Sequence, residues 1–190
     1  FESGRVITFT NPVNFLELTN NTDLLDELDY IFCDGILAAK WFSFFLRKNF
    51  LRYSFDFTSL AEPFIEYCID NNKTVFFVGS DEASIKKFAD LIASLYPGLK
   101  VVGYRHGYIT PLETKEVMEH LLQLNPDAVV CGMGCPKQEF FCTQAAKKLP
   151  RTTFFTCGGF FHQYQNGTQY FPHWIQKYNL RMPYRFWKEK

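Results

Sequence analysis

The sequence has no excess of charge of either sign. Its 20 lysine and arginine residues are balanced by 20 aspartate and glutamate residues. Because affinity for a phosphate backbone depends on clustered positive charge, this balance argues against a dedicated nucleic-acid-binding protein. No apolar run approaches the roughly 20 residues that a membrane-spanning helix needs. No segment has the form of a secretory signal peptide.

Several ligand-binding signatures are also missing. The six cysteines form no Cys-x-x-Cys pair and the four histidines are scattered, so we expect no bound metal and interpret the cysteines as thiols in a reducing cytosol. No Gly-x-Gly-x-x-Gly follows the first predicted strand, which disfavours a Rossmann dehydrogenase, and we expect no cofactor. No Asp-x-Asp pair is present. A nucleotide-sugar transferase of this sequence would therefore stabilise its leaving group with amides, helix dipoles and basic side chains.

Short β-rich runs alternate with longer amphipathic segments along the chain. This alternation predicts an α/β, Rossmann-like fold with a mainly parallel sheet of about six strands and helices on both faces. Residues 1–170 are expected to form this domain, and 171–190 a short helical appendage. The predicted strands are 5–9, 30–33, 74–78, 100–104, 128–131 and 152–157, and the clearest predicted helices begin near Ser80 or Asp81, Pro111 and Gln138.

Glycines and polar residues follow most of these strands directly. Open parallel sheets bind ligands beyond the carboxyl ends of their strands, so the loops containing these residues are expected to share one binding edge. The loops are Asp34-Gly35, Gly79-Ser80, Gly132-Met133-Gly134 and Gly158-Gly159.

Asp34 is the candidate catalytic base. Glycosyl transfer needs a group that takes a proton from the attacking hydroxyl, and a carboxylate after a strand lies at the binding edge, where Gly35 permits close approach of a ligand. The alternative interpretation is that Asp34 only caps the next helix, since aspartate is a favoured N-cap residue.

The segment 132–139, Gly-Met-Gly-Cys-Pro-Lys-Gln-Glu, is the strongest local motif. Its glycines precede a predicted helix start, where backbone amides and the helix dipole favour an anion. Lys137, Gln138 and Glu139 are expected at the mouth of that site, although a simple tight turn would also explain the motif. His162, three residues after Gly158-Gly159, is either a ligand-contacting or a structural histidine.

Two segments combine aromatic and basic residues. Residues 36–50 are predicted either as a core helix with solvated basic side chains, or as an apolar acceptor groove or oligomer contact near Asp34. Residues 171–190 are interpreted either as a contact with an anionic membrane surface or as a terminal helix packed on the domain.

Together these features resemble the WecG/TagA/CpsF family of bacterial glycosyltransferases over nearly the whole chain. Any single motif is weak, but their order and spacing are specific. The matching motifs are Thr8 to Pro12, Asp34-Gly35, Arg52 to Asp56, Phe77 to Ser80, Tyr96 to Gly98, Val102-Gly103, His106 to Tyr108, Gly132 to Glu139, Gly158-Gly159, Pro172-x-Trp174 and Tyr184-Arg185.

The resemblance implies an inverting, metal-independent enzyme that moves an N-acetylmannosamine-type sugar, or its uronic acid, from a UDP-sugar to a polyprenyl-diphosphate-linked acceptor. Its products would feed teichoic acid, enterobacterial common antigen or capsular polysaccharide, on the cytoplasmic face of the plasma membrane, and family members often form oligomers. Asp34 falls on the proposed base. Implied binding residues are Thr10, Asn11, Arg52, Asp56 and Gln138, with Arg181 and Arg185 expected to reach the diphosphate and the membrane.

The sequence also departs from the family pattern. His162 replaces the usual aspartate, residues 179–182 replace a Gly-Leu-Glu-Trp motif, and the chain stops at Lys190 without an arginine-rich tail. The differences at His162 and in the tail support an alternative hypothesis, a catalytically altered nucleotide-sugar-binding subunit of a polysaccharide-assembly complex.

Overall fold

Six strands form a single sheet in the computed structural model, which describes residues 2–170, 172, 174, 175 and 184. Every neighbouring pair is parallel, and the strand order is β2-β1-β6-β5-β3-β4. The predicted parallel α/β architecture is therefore confirmed. The strands are β1 (Val6–Thr10), β2 (Tyr30–Cys33), β3 (Thr74–Gly79), β4 (Lys100–Arg105), β5 (Ala128–Gly132) and β6 (Thr153–Thr156).

The central strands are continuous apolar runs because both of their faces are covered. Phe76 and Phe77 are adjacent in β3 but pack into two different apolar clusters, one on each face of the sheet, as the alternation of side chains along a strand requires. The helices are α1 (Pro12–Thr19), α2 (Thr22–Asp26), α3 (Ile36–Leu46), α4 (Ala61–Asp70), α5 (Glu82–Leu95), α6 (Pro111–Leu124), α7 (Lys137–Lys148) and α8 (Phe160–Tyr164).

The starts of α5 and α6 are fixed by side-chain caps. Asp81 caps α5 by accepting a hydrogen bond of 2.9 Å from the backbone amide of Ser84. Thr110 and Glu113 form a reciprocal capping box at the start of α6, an arrangement that satisfies amides with no partner inside the helix. The predicted starts of both helices are therefore confirmed.

Helix α3 is not a core helix. Only Ala38 and Ala39 are buried in it, whereas Trp41 is 66% exposed and Phe44 is 79% exposed. The interpretation of residues 36–50 as a core segment is therefore wrong, and an exposed aromatic surface lies beside the carboxyl end of β2.

Among the described residues, no helix is long and apolar enough to cross a bilayer. Most of the predicted appendage, 171–190, lies outside the described residues; of those described, Trp174 is exposed and Ile175 is buried.

Candidate active site

A cleft of about 840 Å³ lies along the carboxyl edge of the sheet. Residues from the ends of all six strands or the loops that follow them line it, among them Asn11, Asp34, Ser80, Gly107 and Gly134. The loops after β2, β3, β5 and β6 therefore meet at one edge of the sheet, as expected. Gly132, Gly158 and Gly159 also line the cleft.

Asp34 lies in the wall of this cleft, and its side chain is 40% exposed. Its backbone amide donates to the carbonyl of Thr10 across 2.8 Å, which extends the pairing of β2 with β1 by one residue. The N-cap of α3 is Gly35, so the interpretation of Asp34 as the cap of that helix is wrong. Gly35 itself does not line the cleft, and an added Cβ there would meet only the Cβ of Ala38, at 3.6 Å.

Arg52 joins Asp34 to Asp56. Its Nη2 lies 3.1 Å from Oδ1 of Asp34 and 2.8 Å from Oδ2 of Asp56, and its Nε donates to the same Asp34 oxygen across 3.2 Å. The Arg52 and Asp56 side chains are mostly buried, whereas Asp34 is the partly exposed member. The guanidinium therefore fixes one oxygen of the candidate base.

Asp56 is held by several further donors. Oδ2 accepts from the Ser54 hydroxyl at 2.8 Å, and Oδ1 accepts from the Thr58 amide at 2.8 Å and from the Thr58 hydroxyl. Burial alone would raise the pKa of the Asp56 carboxyl, but Arg52 and these hydrogen bonds outweigh it and hold that pKa below its usual value. Burial would lower the pKa of Arg52, yet the two carboxylates raise it. Arg52 and Asp56 are therefore both ionised at neutral pH.

The opposite part of the cleft is formed by the start of α7. Gly134 has a φ of +82° and open space where a Cβ would lie, so a glycine suits this turn. Its carbonyl accepts from the amide of Gln138 at 2.9 Å. Lys137 lines the cleft, and its Nζ donates to the carbonyl of Gly107 across 2.8 Å.

Gln138 and Glu139 are more buried than the sequence suggested. Gln138 reaches the cleft lining with 2% of its surface exposed, whereas Glu139 is 1% exposed and does not line the cleft. Oε1 of Glu139 accepts from the Thr8 hydroxyl at 2.7 Å and from Nε2 of Gln138 at 2.9 Å. The side-chain oxygen Oε1 of Gln138 in turn accepts from the Gly158 amide at 3.2 Å. The prediction of Glu139 at the mouth of the site is therefore wrong. The buried Glu139 carboxylate instead holds the Gln138 side chain by a hydrogen bond.

Two predicted binding residues serve the sheet or a neighbouring groove instead of the cleft. Gly79 does not line the cleft, and a Cβ there would lie 2.3 Å from the carbonyl oxygen of Gly132, so it permits close approach of β3 and β5.

Thr10 lines a second cavity, called here the apolar groove. The main apolar side chains of the groove are Phe15, Ile31, Phe42, Leu46, Phe50 and Leu51.

Asn11 lines both the cleft and the apolar groove. Its side-chain oxygen caps α1 by accepting from the amides of Val13 and Asn14, each at 3.0 Å. The sequence therefore placed Asn11 correctly at the sheet edge, and its carbonyl oxygen has a structural task there.

His162 is exposed and lines the cleft on α8. Its Nδ1 lies 3.4 Å from the Ser84 hydroxyl, which donates to Asp81 across 2.6 Å. The sequence predicts Asp81 only as a helix cap, and its proximity to His162 is not visible there because the two belong to different helices. Asp81 also lines the cleft.

Arg181 and Arg185, expected at the diphosphate and the membrane, lie outside the described residues. Within the described part of the chain, no group of three or more His, Cys, Asp or Glu side chains is arranged to hold a metal ion. Each of the six cysteines is a free thiol.

Several bacterial glycosyltransferases are similar to this chain. A β-1,4-galactosyltransferase of Shigella boydii, named for UDP-Gal and α-D-GlcNAc-diphosphoundecaprenol, is 33% identical over 92% of this chain and 73% of its own length. An N-acetylglucosaminyldiphosphoundecaprenol N-acetyl-β-D-mannosaminyltransferase of Bacillus subtilis is 26% identical over 96% of this chain and 71% of its own length. A Staphylococcus aureus enzyme of the same name is 24% identical over 86% of this chain and 63% of its own length.

The family model described as glycosyl transferase WecG/TagA/CpsF matches residues 2–190. This match covers the cleft, the Asp34–Arg52–Asp56 cluster and the start of α7. Together with the relatives, it confirms the resemblance carried by the sequence motifs, and the chain belongs to the WecG/TagA/CpsF family of glycosyltransferases.

Proposed function

We propose that this protein transfers a sugar from a UDP-sugar to an N-acetylglucosaminyl-diphosphate-polyprenol acceptor, in the assembly of a cell-surface polysaccharide. The observation that carries the proposal is the position of Asp34, a partly exposed carboxylate in the wall of a cleft that also contains the start of α7. The printed names of the relatives supply the substrate classes, since they are transferases acting on diphosphoundecaprenol-linked N-acetylglucosamine.

In the proposed reaction, Asp34 takes the proton of the acceptor hydroxyl as that oxygen attacks the anomeric carbon. The new bond forms on the face opposite the leaving nucleotide, so the bond from the anomeric carbon to the diphosphate oxygen breaks with inversion. Arg52 orients the Asp34 carboxylate. The charge that develops on UDP would be stabilised by the amides and dipole at the start of α7, and this assigns the role to protein groups rather than to a metal ion.

The transferred sugar has two candidates. The Bacillus subtilis relative supports N-acetylmannosamine, the sugar type that the family resemblance implies. The Shigella boydii relative, at 33% identity, supports galactose. A panel of UDP-sugars separates these candidates.

The test is transfer by the purified protein to a synthetic N-acetylglucosaminyl diphosphate lipid, followed by UDP release and the mass of the product. We expect one UDP-sugar to be used, a β-linked product, and unchanged turnover in EDTA. Loss of turnover in EDTA would contradict the metal-free mechanism. UDP binding without transfer from any donor would contradict the enzyme proposal and favour a nucleotide-sugar-binding subunit.

We also propose that the exposed face of α3 contacts an anionic membrane surface. Leu37, Trp41 and Phe44 are exposed there beside Lys40 and Arg47, a combination suited to lipid headgroups. In a flotation assay with phosphatidylglycerol vesicles, we expect the wild-type protein to float with the vesicles and a smaller fraction of Trp41→Gln to do so. If Trp41→Gln floats as well as wild type but is converted from dimer to monomer in light scattering, α3 is instead a contact between copies of the chain.

A further inference from the structure

The apolar groove lies beside the cleft and is of ligand size. It encloses about 520 Å³, within the range of about 300–1,000 Å³ usual for small-molecule pockets. Its walls come from the end of β1, from α1, β2 and α3, and from the segment that follows α3. Apart from Thr10, Cys33, the Tyr53 hydroxyl and two asparagines, the side chains that line it are apolar.

The groove and the cleft share a boundary. Asn11 lines both cavities, and consecutive residues of one strand end divide them, since Cys33 lines the groove and Asp34 lines the cleft. One residue of extended chain spans only about 3.3 Å. Because Asn11 contributes to both cavities, a molecule whose polar end reaches Asp34 can continue past Asn11 into the groove.

We propose that the groove holds the isoprene units of the polyprenyl acceptor that lie nearest to its diphosphate. This inference rests on the proposed function, because it concerns the acceptor of that reaction. A lipid-linked acceptor is polar at the sugar and diphosphate and apolar beyond them, which is the order of the two cavities. Burying isoprene units against Phe42, Leu46 and Leu51 would remove apolar surface from water on both sides.

The charges around the groove favour this occupant over a second copy of the chain. Lys40, Arg47 and Lys48 are exposed on and just after α3, and residues 35–51 contain no acidic side chain. In a two-fold dimer the same surface meets itself, so these cations would face each other. A diphosphate or an anionic lipid surface is instead complementary to them.

The test uses soluble probes without membranes: farnesyl diphosphate, which carries three isoprene units, and methyl diphosphate, which carries none. We expect isothermal titration of the wild-type protein, with UDP present, to show that farnesyl diphosphate binds at least tenfold more tightly than methyl diphosphate. Leu46→Gln, at a side chain that is 56% exposed, is expected to weaken farnesyl diphosphate binding about tenfold and to leave methyl diphosphate binding unchanged. The matched control is Leu122→Gln on α6, also at a partly exposed leucine, which is expected to change neither affinity.

Equal affinity of wild type for both probes would overturn the inference, as would an equal effect of Leu46→Gln and Leu122→Gln on farnesyl diphosphate. A change of oligomeric state in Leu46→Gln with unchanged farnesyl diphosphate affinity would identify a contact between copies and would also overturn it. These measurements test binding without sugar transfer, so they can refute the groove proposal on its own. The UDP-sugar panel separately tests the proposed reaction.

Discussion

Oδ1 of Asp34 contacts two nitrogens of Arg52: Nη2 lies 3.1 Å away, and Nε donates a hydrogen bond across 3.2 Å. Arg52 is largely buried and also pairs with Asp56, so its position is set by the protein interior rather than by solvent. The arrangement leaves Asp34 partly exposed at the cleft while fixing its direction. Asp56 and Arg52 thus hold the geometry of the cluster, and Asp34 faces the cleft, where the proposed reaction needs a base.

Replacing Asp34 with asparagine is expected to lower kcat by about 10²–10⁴-fold, the usual contribution of a general base. The amide keeps the size of the side chain but cannot take the proton of the acceptor hydroxyl. Turnover is measured with the preferred UDP-sugar, and circular dichroism reports the fold. Asp26→Asn, which removes a charge from an exposed position of α2, serves as the control and should retain full activity. Wild-type turnover in Asp34→Asn would require another base.

Replacing Arg52 with alanine is expected to destabilise the protein by about 3–5 kcal/mol, because it leaves the Asp56 carboxylate buried without its cation. Urea unfolding at pH 7 measures this loss. Lys86→Ala is the matched control, since Lys86 pairs with Asp90 four residues along α5 with both side chains exposed, where ion pairs contribute little. Equal stability of the two variants would show that the Arg52–Asp56 pair is not held as the structure has it.

The lowered pKa of Asp56 predicts a specific loss of stability in acid. A carboxyl whose pKa is lower in the folded state binds fewer protons there than in the unfolded chain, so its contribution is complete above the unfolded value of about 3.9. It is lost as the pH falls from that value through the folded pKa. Between pH 5 and pH 3, wild type should lose more unfolding free energy than Asp56→Asn. Asp26→Asn should behave like wild type, and parallel losses in wild type and Asp56→Asn would refute the assignment.

The sheet was predictable because its central strands are continuous apolar runs, and the binding edge followed from their parallel direction. The orientation of consecutive residues at the start of α7 was not. Successive residues of a helix point about 100° apart, so Lys137 and Gln138 reach the cleft while Glu139 is buried against Thr8 of β1. Helix α4 was also missed, although its buried residues, Ala61, Phe64, Ile65 and Cys68, have helical spacing that could have identified it.

The environment of α3 could not be predicted from composition. Aromatic residues are usually buried, and the spacing in 36–46 gives no polar face that would point to solvent. The structure exposes them beside β2, which is an edge strand, and within the described residues no further strand lies beyond it. The link between Asp81, Ser84 and His162 likewise depends on the packing of α5 against α8, which is a tertiary relationship.

Replacing Gln138 with alanine is expected to weaken binding of the UDP-sugar about tenfold. The Gln138 side chain donates to the buried Glu139 carboxylate and accepts from the amide of Gly158, so its removal breaks both hydrogen bonds, at a cost of about 1–3 kcal/mol. It also releases the loop after β6 that lines the cleft. The KM for the donor measures the effect. Gln144→Ala, at an exposed position of α7, is the control, and an unchanged KM in Gln138→Ala would remove this residue from the binding site.

Replacing Gly79 with alanine is expected to disrupt folding, whereas the same change at Gly35 should be tolerated. A Cβ at Gly79 would lie 2.3 Å from the Gly132 carbonyl oxygen, and the φ of +150° disfavours any other residue, a strain of about 1–3 kcal/mol before the contact is counted. At Gly35 the nearest atom is 3.6 Å away. Thermal melting compares the two variants. Similar melting temperatures would show that β3 and β5 can separate at this point, and lost turnover in a well-folded Gly35→Ala would show that the substrate approaches the backbone beside Asp34.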